Sequence, residues 1–189
     1  MHKQSFFLLL ASLAAPALAS DPPQIAAEQV MHDFNTGGFV LGPHGNANFR
    51  FAQTFQLPAA GEISHIMLPI ACSTATTVRV KILQVLRSGF PSSVALIQQD
   101  VPASAMNAWT ASNGMQSMRM VEFARPRIFS AGSYAFSIEA IGGECVLWPG
   151  PSGNSYDGGE AFIINGVSVT SWLIWSGRDL AFQVFQRPL

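Results

Sequence analysis

Val78-Arg79-Val80-Lys81-Ile82 alternates apolar and charged side chains without a break. Successive side chains of an extended chain point to opposite faces, so residues 78–82 read as a strand with one oily face and one wet face. The pattern recurs on both sides. Upstream, Phe49, Phe51 and Phe55 share one parity against Arg50 and Thr54, and Ile66, Leu68 and Ile70 alternate. Downstream, Met118, Met120 and Glu122 share one parity against Arg119, Val121 and Phe123. Tyr134, Phe136 and Ile138 oppose Ala135, Ser137 and Glu139, and Leu180, Phe182 and Val184 close the series. Turn formers fall between the runs: Gly61, Ser88-Gly89-Phe90-Pro91, Asn113-Gly114, Gly132, Gly142-Gly143, Gly158-Gly159 and Asn165-Gly166. Asn165-Gly166, between Phe162–Ile164 and Val167–Val169, predicts a type I′ hairpin. Asp21 to Phe34 carries helix-start signals but uneven apolar spacing, which leaves a helix and an extended arm both open. Ala103 to Trp109 is expected to make one short turn. Together these runs predict an all-β fold, an antiparallel jelly-roll-like β-sandwich of about eight to ten strands.

Residues 1–19, MHKQSFFLLLASLAAPALA, read as an export signal. His2 and Lys3 form a basic head, Phe6 to Ala15 an apolar run too short to span a bilayer, and Ala17-Leu18-Ala19 a small-x-small cleavage pattern. The expected organisation is a signal peptide over 1–19, an N-terminal arm and a loop leading into the sandwich over 20–48, and one β-sandwich domain over 49–189. The mature chain is expected to be secreted or periplasmic, with no transmembrane segment. Two cysteines, Cys72 and Cys145, are present. In an oxidising compartment such a pair reads most simply as a disulfide, with two buried thiols as the other reading. A bridge across a loop of roughly seventy residues would add about 4 kcal/mol by the chain-entropy argument.

Charge narrows the partners. Only 11% of the residues are charged, and loss of Lys3 with the leader leaves nine basic against eleven acidic side chains, a net −2. Eight scattered arginines and the single lysine Lys81 make no basic stripe, which argues against nucleic acid. The charge pattern does not determine an oligomeric state.

The segment from Gln53 to Phe185 resembles a β-sandwich module of secreted bacterial proteins, the choice-of-anchor or carbohydrate-binding-like domain. The resemblance rests on AQTF at 52–55, IMLPI at 66–70, VRVKILQV at 78–85, GFPS at 89–92 and VEFARPRIFSAGSYAFSIEA from Val121. Trp148, SYDGGEAF at 155–162, Trp172 and DLAFQVF at 179–185 complete it. What it implies is a jelly-roll sandwich at the cell exterior, usually without demonstrated catalysis.

Three chemistries remain to be placed. Sugar binding needs aromatic faces to stack on pyranose rings and polar neighbours to bond hydroxyls. Trp148, Tyr156, Asp157 and Trp172 are the residues expected to bind such a ligand, with Trp175, Asn154 and Arg178 nearby in sequence; packing aromatics are the competing reading. No catalytic residue is assigned. Gly150-Pro151-Ser152-Gly153 lacks the spacing of a nucleophile elbow, His32, His44 and His65 have no evident nucleophile, and no carboxylate spacing selects a glycosidase pair. A structural calcium ion on Asp157, Glu160 and Asp179 is a minor expectation, because a glycine-rich turn explains Asp157-Gly158-Gly159 without metal. No other cofactor or metal is expected. The expected role is therefore a non-catalytic exported module that binds a polysaccharide or other cell-surface ligand. A structural or protein-interaction component of the envelope or matrix is the alternative, and a small secreted hydrolase the minor one.

Overall fold

A computed structural model describes residues 21–31, 37–109, 117–166 and 171–189. The first strands are β1 (Gln24–Gln29), β2 (Phe39–His44), β3 (Ala47–Leu57), β4 (Gly61–Leu68), β5 (Ile70–Cys72), β6 (Thr77–Val85) and β7 (Pro91–Pro102). A 3-10 turn at Ala103–Ala105 leads into β8 (Asn107–Ala108), followed by β9 (Arg119–Phe129), β10 (Gly132–Ile141) and β11 (Cys145–Leu147). The chain ends with β12 (Ala161–Asn165), β13 (Leu173–Ile174) and β14 (Phe182–Pro188). The described residues hold fourteen strands, more than the eight to ten expected, and ten of them are five residues or longer. No helix among the described residues is long and apolar enough to cross a membrane.

Two sheets face each other. The smaller is antiparallel in the order β1-β14-β4-β9. The larger runs β7-β6-β10-β3-β2-β11-β5-β8, with β12 also on β3 and β13 on β12. It is mixed rather than wholly antiparallel, because β5 and β8 pair in parallel. Pro69 separates β4 from β5, so the Ile66-Leu68-Ile70 run crosses from one sheet to the other. A strand that changes sheets in this way closes a corner of the sandwich.

The period-two reading places the core correctly. Phe51, Phe55, Phe136, Ile138, Val80, Ile82 and Phe182 all lie within 1% of complete burial. Register puts Phe136 between Gln53 and Ile82, and Ile138 between Phe51 and Val80. Fully burying one such side chain is worth about 1.5–3 kcal/mol. The bridge between Cys72 and Cys145 is formed, across a directly opposed pair of β11 and β5.

The N-terminal boundary is corrected. The sandwich does not start at residue 49, because β1 is an edge strand on β14 and β2 lies between β3 and β11. Asp21 to Phe34 therefore contains a strand rather than a helix, as far as Met31. Gln24–Gln29 is too uneven to pattern by itself; its hydrogen-bond partners are about 155 residues away in sequence (Glu28 pairs Gln183). The expected leader at 1–19, Asn113-Gly114 and the expected hairpin arm at 167–169 lie outside the described residues. Among the described residues β12 pairs with β3 on one side and β13 on the other, with Phe162 opposite Ala52 and Ile174.

Candidate functional site

The outward parity of the larger sheet carries a ladder of charge. In register across four neighbouring strands stand Asp100, Arg79, Glu139 and Arg50, and Ile164 of β12 follows Arg50. Arg79 grips Asp100 with Nε to Oδ1 at 2.8 Å and Nη2 to Oδ2 at 2.7 Å. This fork holds the Asp100 carboxyl below its ordinary pKa. One level further along, Lys81 Nζ lies 2.6 Å from Glu139 Oε1. Such partly exposed pairs contribute about 0–1 kcal/mol each to stability. Their stronger effect is to hold donors and acceptors in fixed positions on a flat surface.

Two structures rise beside this ladder. On one side, β7 bulges: Leu83 pairs Ala95 while Val85 pairs Pro91, so extra residues are forced out at 92–94. The bulge aims Ser92 and Ser93 over the sheet face, and Ser92 Oγ donates to the Val94 carbonyl at 3.1 Å. Beyond it, Phe90 crosses the face to meet Phe162, with ring centroids 5.2 Å apart. On the other side Trp172 stands half-buried, lining one continuous groove with Arg50, Lys81, Ser137, Glu139, Ser92 and Ser93. The hollows in it hold only about 30 and 100 Å³, against roughly 300–1,000 Å³ for an enclosed small-ligand pocket. A ligand here would lie across the surface rather than enter it.

Two larger hollows lack this chemistry. One, of about 290 Å³, is lined by Phe39, Val40, Phe49, Phe51 and Ile163, with His44 as its one polar side chain. The other, of about 350 Å³, lies against Cys72, Ala103 and Met106 and offers only the hydroxyls of Thr74 and Ser104.

The four residues expected to bind ligand do not come together. Trp172 is in the groove. Trp148 is 5% exposed and packs in a small cluster with Ala71 and Val146, so it offers no free face for stacking and the expectation fails there. The backbone of Gly38 lies against it: a Cβ at Gly38 would collide with Val146 and sit 3.2 Å from the Trp148 ring. Gly38→Ala is expected to cost about 1–3 kcal/mol by overpacking, read as a lower melting temperature.

Tyr156 is half-buried, edge-on to Phe182 at 5.1 Å, and burial raises its hydroxyl pKa. It packs against the core cluster beside Phe182 and Gln56, and lines neither hollow of the groove. Asp157 beside it is exposed. Trp175 packs on Phe39 and Phe51 at 4.5 and 5.1 Å, the packing role weighed for it.

The loop holding Tyr156 is fastened by a buried polar clamp. Gln53 shares the inward parity of Phe51 and Phe55 and is fully buried, as is Asp179. Gln53 Nε2 donates to Asp179 Oδ1 at 2.9 Å, while Gln53 Oε1 accepts from the Leu180 amide at 2.9 Å. Asp179 Oδ2 accepts from the Tyr156 amide at 2.9 Å. Burial pushes the Asp179 pKa up, against these bonds. Its oxygens are thus engaged by protein donors, and among the described residues no three His, Cys, Asp or Glu side chains gather in a metal-holding group.

No family model and no curated protein matches the chain. Among solved structures, one described as "Structure of infectious bursal disease virus Gx strain" aligns with 95% of this chain at 14% identity and a TM-score of 0.31. This chain spans 45% of that one, and a likeness so distant carries no argument about function.

Proposed function

We propose that this protein is an exported, non-catalytic β-sandwich module that binds a polysaccharide across the groove of its larger sheet. The observation that carries the reading is Trp172: a partly exposed indole beside ammonium, guanidinium, carboxylate and hydroxyl groups. An indole face covers the C–H face of a pyranose, and Lys81, Glu139, Ser137 and Arg50 bond its hydroxyls. The shallow, open shape suits a polymer lying on the surface. The N-terminal leader pattern and the disulfide support an oxidising compartment outside the cytoplasm.

The test is a polysaccharide panel by affinity electrophoresis or calorimetry. Trp172→Ala is expected to weaken binding at least tenfold, about 1.4 kcal/mol, while Trp175→Phe leaves it unchanged. A panel without any binder, or a Trp172→Ala protein that binds as well as the parent, would overturn the reading.

A second reading, a protein-interaction component of the envelope, is favoured by the smaller sheet. Its outer surface exposes Ile25 at 48%, Met120 at 50% and Ile128 at 64%.

A further inference from the structure

The outer face of the smaller sheet carries donor atoms that glycan binding leaves unused. His65 and Met67 stand two residues apart on β4, and Met120 and Glu122 stand two apart on β9. Register sets Met67 directly opposite Met120, and His65 directly opposite Glu122. Opposed Cβ atoms on one face lie about 4.5–5.5 Å apart and diagonal neighbours about 7–8 Å. Unbranched methionine side chains span such gaps. With Met120 half exposed, its thioether faces water at a position where core packing does not require it.

The His65 ring is fixed in position by its neighbours. Its ring stacks on Phe185, with centroids 4.2 Å apart and planes within 16°. Nδ1 lies 2.9 Å from Ser64 Oγ, which also lies 3.4 Å from the Phe185 carbonyl oxygen, so that nitrogen is engaged and the ring is held by two neighbours. A protein oxygen on one ring nitrogen, holding the ring plane while the other nitrogen stays available, is the usual support of a ligating histidine.

We propose that His65 Nε2 and the thioether sulfurs of Met67 and Met120 form a binding site for a soft monovalent cation, Cu(I). Hard cations take oxygen ligands and find none in this trio. Thioether sulfur selects Cu(I) among the first-row metals, and imidazole is compatible with it. Two adjacent strands of one sheet carry all three ligands.

The experiment titrates the purified full-length mature protein with Ag(I), a redox-stable ion of the same charge and softness, while NMR follows the methionine methyl signals. Cu(I) competition against a chromogenic chelator gives the second readout. One ion per chain is expected, with the shifts confined to Met67, Met120 and the His65 ring. Met67→Leu/Met120→Leu keeps the apolar volume and is expected to bind at least tenfold more weakly; Met120→Leu alone, at a half-exposed position, gives a weakened variant whose fold is not in question. Met31→Leu is expected to bind as the parent does. Polysaccharide binding should be unchanged in all of these variants, which separates the site from the groove. Retained affinity in the double variant, or no uptake by the parent against the chelator, would sink the assignment.

Discussion

Cys72→Ala/Cys145→Ala is expected to melt about 8–16 °C below the parent protein. The bridge joins residues 73 apart in sequence, which the chain-entropy model converts to about 4 kcal/mol. For a domain of this size each kcal/mol moves the midpoint by about 2–4 °C. Alanine is the right replacement, because Cys72 and Cys145 are 3% and 0% exposed and serine would bury an unmatched hydroxyl. The location adds to the effect. β5 and β11 are three residues each and connect β8 to the long strands, so little besides the bridge and its neighbours pins that end of the sheet. Differential scanning calorimetry of the two proteins decides it: a shift under about 3 °C would mean that the unbridged chain is already confined there.

Asp179→Ala is expected to cost about 1–3 kcal/mol, because the Tyr156 amide loses its acceptor and Gln53 Nε2 keeps only the Thr54 carbonyl at 3.3 Å. Thermal unfolding at neutral pH measures this. The pH dependence has an unusual sign. Burial raises the Asp179 pKa above its ordinary 3.8, so between that value and the raised one the folded chain holds more protons than the unfolded chain. Stability from this group is then fully present below 3.8 and lost as pH rises through the folded pKa. The stability gap between parent and Asp179→Ala should therefore narrow from pH 3 toward pH 7. Asp100 has the reverse sign: its carboxyl is held down by Arg79, so its small contribution is present above 3.8 and lost as pH falls through the folded pKa. A gap that widens toward neutrality would show that the clamp stabilises the carboxylate more than burial opposes it.

Several parts of this picture were legible along the chain. Alternation at 78–82 and 134–138 assigns inward and outward sets with no tertiary information, since a strand has only two faces. The same parity sets Gln53 among inward phenylalanines, the one visible hint of the buried clamp. Its partner Asp179 gave no comparable signal, because a carboxylate 126 residues away meets it only when both sheets are in place. The tryptophans show the limit most clearly. Trp148 and Trp172 have the same side-chain chemistry and apolar sequence neighbours, yet Gly38 and Val146 cover the first while the second stands beside open sheet. Exposure depends on what packs over a residue, and that is not written next to it.

Local sequence by itself determined that this chain folds as β-strands, which side of each long strand turns inward, and that two cysteines were available to pair. These follow from backbone geometry, which repeats every two residues and needs no distant partner. Tertiary structure alone decided that residues 24–29 form an edge strand, that the 92–94 bulge and Trp172 flank one charged ladder, and that Met67 faces Met120. Each of these depends on register between segments far apart in sequence, and register is set by the fit of the whole core.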